Sequence, residues 1–123
     1  MNIKRSLVAL GMAAGVALGT AAVAPVANAA PGGCASGGLC VYWTSGYTGS
    51  VQTVYQNNTD LTMYGNFKNA KGGSVFNNGN SCNVMLWKET GYQGQGWHLD
   101  RNTGFSWIGD NLSTIGSNKW CTY

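Results

Sequence analysis

The sequence predicts an all-β fold, two similar halves closing as a pair of packed sheets and stapled by two disulfides. Three observations predict it. No segment carries apolar residues at helical spacing over three turns; they come in short runs between Gly and Asn clusters. A nine-residue pattern occurs twice at a fixed offset of 45. All four cysteines, Cys34, Cys40, Cys82 and Cys121, follow an apolar leader.

The leader comes first in the chain. Lys4 and Arg5 form a basic start, Leu7 to Val23 is an almost unbroken apolar run, and Ala27-Asn28-Ala29 fits the small-x-small cleavage rule. This reads as a signal peptide, residues 1–29, and predicts a secreted protein. The break at Pro25 and the cleavage site argue against a retained membrane anchor. The remainder, 30–123, is the length of a single domain, with a first motif at about 34–80 and a second at about 81–123. The net charge of +3 falls to +1 once Lys4 and Arg5 leave. With no basic stripe left, nucleic acid and anionic membrane are excluded as partners, and a monomer is expected.

An even cysteine count in a small exported chain reads as two disulfides. Of the three pairings, Cys34–Cys40 with Cys82–Cys121 is favoured. The first pins a short Gly-rich loop. The second closes about forty residues, worth roughly 3–4 kcal/mol in the chain-entropy picture. A zinc site using His98 is the weaker reading, because the spacing matches no zinc motif.

Residues 30–123 hold sixteen Gly and eleven Asn, and fourteen aromatics argue against disorder. The expected strands are Cys40–Trp43, Val51–Tyr55, Val75–Phe76, Cys82–Trp87, Gly96–Asp100 and Lys119–Thr122. The repeat places "VYWTSGYTG", Val41 to Gly49, over "LWKETGYQG", Leu86 to Gly94. Tyr42 falls on Trp87, Gly46 on Gly91, Tyr47 on Tyr92 and Gly49 on Gly94. Such a run suits a sharply bent hairpin, in which glycine supplies the unusual dihedral and an aromatic covers the bent backbone. A fainter echo at an offset of 40 sets Asn69–Val75 against Gly109–Ile115.

An aromatic, four residues, an aromatic, one residue and a glycine resembles the βγ-crystallin motif, the folded hairpin of a Greek key. With "CASGGLCVYW" leading the first copy, the chain resembles small exported actinobacterial proteins grouped with the Streptomyces-type metalloproteinase inhibitors. The resemblance implies a sandwich of two Greek-key motifs and a protein that inhibits an extracellular peptidase, with a metallopeptidase as the expected target, by occluding its cleft. The implied inhibitory loop is Asn77, Asn78, Gly79, Asn80, Ser81, Cys82 and Asn83. In the resembled group a local disulfide stiffens this loop. Here the region has only Cys82, so a less constrained loop is expected. The polar echo resembles the family's calcium-binding turn. Its first copy lacks the fifth-position hydroxyl, and its second keeps Asp110, Ser113 and Thr114. At most a weak calcium site is expected there, with no required cofactor.

Catalysis is not expected. Alternation puts the only histidine, His98, on the solvent face of its strand, and no nucleophile-elbow pattern accompanies Ser106 and Asp110. Among the tryptophans, Trp87 is expected in the core, Trp107 either caps the core or stacks on a sugar or fills a protein pocket, and carbohydrate binding through Trp43 or Trp107 is a weaker alternative function. Two other functions fit the same residues, a structural or calcium-binding extracellular module and a toxin-like antimicrobial effector.

Overall fold

The computed structural model describes residues 30–122; the expected leader, 1–29, and Tyr123 lie outside the described residues. Among the described residues, two antiparallel sheets form. The first has the order β2 (Thr48–Val54), β1 (Gly38–Thr44), β3 (Ser74–Asn78), β6 (Gly104–Phe105). The second has the order β5 (Gly96–Leu99), β4 (Val84–Trp87), β7 (Ser117–Trp120). A single helical turn, α1 (Gly65–Lys68), sits on β1 through Asn66, whose amide donates to the carbonyls of Val41 and Ser50 at 3.0 Å each.

The second half lends a strand to the first half's sheet, and the first half lends a single bridging residue in return, which is the Greek-key crossing. β6, from the second half, pairs with β3 through Val75 and Phe105. Asn58, from the first half, bridges to Asn118 on β7. The apolar faces of both sheets meet in one core that includes Leu39, Val41, Phe67, Val75, Leu86 and Ile115. β1 is buried on both faces. Leu39 and Val41 point into the main core, and Cys40 and Tyr42 join a second cluster with Cys34 and Phe76. The disulfides are Cys34–Cys40 and Cys82–Cys121. The first ties the segment ahead of β1 against this second cluster, where the Tyr42 hydroxyl donates to the Gly32 carbonyl at 3.0 Å.

The two hairpins share one backbone geometry. Gly46 and Gly91 have φ of 70° and 69°, Tyr47 and Tyr92 have 60° and 61°, and Gly49 and Gly94 have 80° and 81°. The tyrosines adopt a left-handed conformation that costs an L-residue about 1–2 kcal/mol. The contacts that hold them are also paired. Ser74 Oγ accepts the Tyr47 N–H at 2.9 Å and donates to the Thr44 carbonyl at 2.8 Å. Ser117 Oγ accepts the Tyr92 N–H at 3.0 Å and donates to the Glu89 carbonyl at 2.6 Å. Gly46 N–H donates to the Ser106 carbonyl at 2.8 Å and Gly91 N–H to the Thr59 carbonyl at 2.7 Å, so each hairpin is tied to a segment of the other half. Tyr42 meets Tyr47 edge-on at 5.8 Å between ring centroids, and Trp87 meets Tyr92 at 5.0 Å.

Three sequence expectations need correcting. The echo at an offset of 40 aligns Ser74 with Thr114, but the residue that does the work of Ser74 is Ser117, in a second Gly-Ser pair at an offset of 43. The expected strand Lys119–Thr122 lies instead at Ser117–Trp120, because pairing begins at this serine. Trp87 is half-buried over Tyr92, so it covers the hairpin rather than filling the core. The other edges shift by a few residues, β2 starting at Thr48 and β4 at Val84, and the two-residue β6 carries too short a pattern to read.

Ser74→Ala and Ser117→Ala should each cost about 1–3 kcal/mol, since each leaves a hairpin N–H and carbonyl without partners. Urea unfolding of the oxidised protein measures both. A large loss in one and none in the other would contradict the equivalence of the two hairpins.

Candidate functional site

The end of β3 and the chain from there to β4, which crosses from the first sheet to the second, hold the seven residues the sequence nominates. Asn77, the next-to-last residue of β3, is completely buried and organises the crossing. Its amide donates to the Leu99 carbonyl at 2.9 Å and the Cys82 carbonyl at 3.3 Å, and its side-chain oxygen accepts the Gly79 N–H at 2.8 Å. Gly79 lies against Trp120. A Cβ there would come within 2.6 Å of the indole ring, so only glycine lets the chain pass.

The loop is also braced from outside, by the segment inside the first disulfide. Gly37 N–H donates to the Asn78 carbonyl at 2.8 Å, and the Asn78 amide donates to the Cys34 carbonyl at 3.0 Å. The Ser36 hydroxyl donates to Asn80 Oδ1 at 3.0 Å. At its far end Cys82 is bonded to Cys121. The loop is therefore constrained through hydrogen bonds to one disulfide-closed segment and covalently by the other bridge. The expectation of a less constrained loop, which rested on the missing local cysteine, did not foresee these hydrogen bonds.

Of the seven nominated residues, Asn77, Gly79 and Asn83 are buried, and Asn78 and Cys82 are partly so. Asn80 and Ser81 form the exposed tip. Beside it lies a cleft of about 330 Å³ lined by Tyr55, Asn57, Trp120 and the Cys82–Cys121 bridge. Tyr55 is 54% exposed. The sequence gives no sign of Ser36, Gly37 or Tyr55 here, because they are 40 or so, or about 25, residues away from the loop along the chain.

Two of the three nominated calcium donors are already engaged. Asp110 Oδ1 is paired with Lys71 Nζ at 2.8 Å, and the Thr114 hydroxyl donates to the Lys68 carbonyl at 3.0 Å. The Lys71 hydrogen bond, and next its charge, hold the Asp110 carboxyl below the usual carboxylate range. Among the described residues no three His, Cys, Asp or Glu side chains gather, whereas calcium takes six to eight oxygens with several carboxylates. His98 stands on the exposed side of β5, its Nδ1 3.3 Å from the Asn83 amide nitrogen, while Trp97 packs on the core and Leu99 enters it. Among the described residues no helix is long and apolar enough to cross a membrane.

Residues 27–99 match the model of a family described as peptidase inhibitor family I36. No curated protein matches the sequence. Among solved structures the chain is similar to a βγ-crystallin from Ciona intestinalis, at 18% identity and a TM-score of 0.54, over 69% of this chain and 100% of that one. It is similar to IPSE/alpha-1 from Schistosoma mansoni eggs, at 22% identity and a TM-score of 0.57, over 71% and 87%. It is also similar to a βγ-crystallin from an archaeon, at 17% identity and a TM-score of 0.52, over 71% and 100%. At these identities the structures establish the βγ-crystallin fold and no more.

Asn77→Ala should lower stability by about 1–3 kcal/mol and speed hydrogen exchange at the Gly79 amide, which loses its acceptor. Unchanged exchange at Gly79 would contradict the role given to Asn77. Calcium at millimolar concentration should leave the melting temperature where it is. A rise that disappears in Asp110→Ala would contradict the donor argument.

Proposed function

The chain belongs to peptidase inhibitor family I36, and from that premise we propose that it is secreted and inhibits an extracellular metallopeptidase by seating the 78–82 loop in the active-site cleft. The family is one of inhibitors, and an inhibitor requires a peptidase as its protein partner. One observation carries the choice of loop: Asn80 and Ser81 are exposed at the tip of a crossing whose flanks are fixed by Asn77, by Ser36 and Gly37, and by Cys82–Cys121.

Preorganisation favours this loop. Ordering a flexible loop on binding costs about 0.5–1.5 kcal/mol for each immobilised side chain, and a loop already held in place avoids most of that. A narrow tip of short polar side chains can enter a cleft that a flat sheet face cannot. In a zinc peptidase a tip carbonyl would approach the metal where the substrate carbonyl binds, without a scissile geometry being imposed on it. Tyr55, at the edge of the adjoining cleft, supplies a large contact with few rotatable bonds.

The test is a titration of the oxidised protein against a thermolysin-like zinc peptidase, with a subtilisin-like serine peptidase alongside. Stoichiometric loss of the zinc enzyme's activity is expected, and Ser36→Ala should weaken inhibition about 2- to 10-fold by freeing the Asn80 side of the loop. Loss of the serine enzyme's activity alone would overturn the metallopeptidase assignment, and no loss with either would overturn the mechanism.

A further inference from the structure

Two tryptophans stay exposed, Trp43 at 51% and Trp107 at 67%. Trp43 sits near the end of β1, whose start, Gly38, pairs with Asn78 beside the inhibitory loop. Five residues of strand put it about 17 Å from that end of the sheet. Trp107 follows β6, and its neighbour Ile108 donates its N–H to the Gly73 carbonyl at 2.9 Å, just ahead of the β3 residue that pairs with Tyr42. The Trp107 ring rests on Gly109, where a Cβ would come within 2.8 Å of two ring carbons. It is thus backed by main chain and faces solvent.

Each ring lines its own cleft. Trp107 lies with Trp97, Phe105 and Asn111 around one of about 460 Å³. Trp43 lies with Lys68, Asn69 and Thr114 around one of about 420 Å³. The clefts adjoin at the Lys71–Asp110 ion pair, since Lys71 lines one and Asp110 the other.

We propose that these two clefts form a binding site for linear β-1,4-linked polysaccharide, remote from the inhibitory loop. The chemistry distinguishes this ligand from a protein. A protein hot spot wants a contiguous core from which water is excluded. Here the two rings are parted by a charged pair whose side chains remain 66% and 81% exposed, and desolvating that pair is costly. A pyranose is suited to both parts. Its C–H face stacks on an indole, and its hydroxyls exchange water for hydrogen bonds to ammonium, carboxylate and amide groups. A β-1,4 chain is an extended ribbon with equatorial substituents, a shape suited to lying along both adjoining clefts with its hydroxyl edge over the ion pair. The opposite charges of Lys71 and Asp110 favour a polymer without net charge.

The experiment is depletion of the oxidised protein by insoluble chitin and by insoluble cellulose, with chitohexaose and cellohexaose as competitors and granular starch as the α-linked control. Retention on at least one β-1,4 polymer and not on starch is expected. Trp107→Ala and Trp43→Ala should each weaken it about tenfold or more. Met63→Ala removes a side chain 77% exposed that lines neither cleft, and should not change retention. Peptidase titrations of the same variants should match the parent protein, so failure of either site is seen separately. No retention on either β-1,4 polymer, equal retention on starch, or retention indifferent to both tryptophan changes would overturn the proposal.

Discussion

The structure depends on two serine hydroxyls that hold a strained bend. In each half the chain folds back through residues with positive φ, two glycines and a tyrosine, and such a bend exposes an N–H and a carbonyl that the hairpin cannot pair for itself. Ser74 and Ser117 reach across from β3 and β7 to satisfy both groups. Each serine is the first residue of its strand, so the same contact fixes where that strand begins and its register against β1 or β4. The paired aromatic rings then keep water from the bend.

From that register the geometry of the 78–82 loop follows. With Ser74 opposite Tyr42, Asn77 falls opposite Leu39 and Asn78 opposite Gly38, which brings the end of β3 alongside the segment closed by Cys34–Cys40. That segment covers the outer face of β1, where Cys40 and Tyr42 would otherwise be wet, and its own backbone and Ser36 then hold Asn78 and Asn80. One short disulfide thus serves both core and loop. A local bridge inside the loop is one way to stiffen it; hydrogen bonds to a neighbouring stapled segment are another.

The repeat was legible because aromatic-x4-aromatic-x-Gly is a local requirement: the dihedrals and the covering ring must come from those positions whatever the rest of the chain does. Trp43, Trp97 and His98 could likewise be assigned faces from alternation alone. The serine clamp was less legible. Its two copies stand 43 residues apart while the hairpins stand 45 apart, so a search at one offset passes over them. Asn77, nominated as part of the loop, is buried, and an asparagine that makes three hydrogen bonds to surrounding backbone reads in sequence like any turn residue. Ser36, Gly37 and Tyr55 reach the site by strand pairing over long separations, which composition and spacing do not encode.

The loop and the exposed tryptophans sit near opposite ends of β1, so the sheet separates the two proposed sites. If the proposal holds, the peptidase meets the loop end. Hydrogen exchange of the oxidised protein, alone and saturated with a thermolysin-like zinc peptidase, tests it most directly. The account predicts new protection at residues 78–82 and around Tyr55, with Trp43 and Trp107 unchanged. Protection at the tryptophan end with the loop unaffected would contradict it.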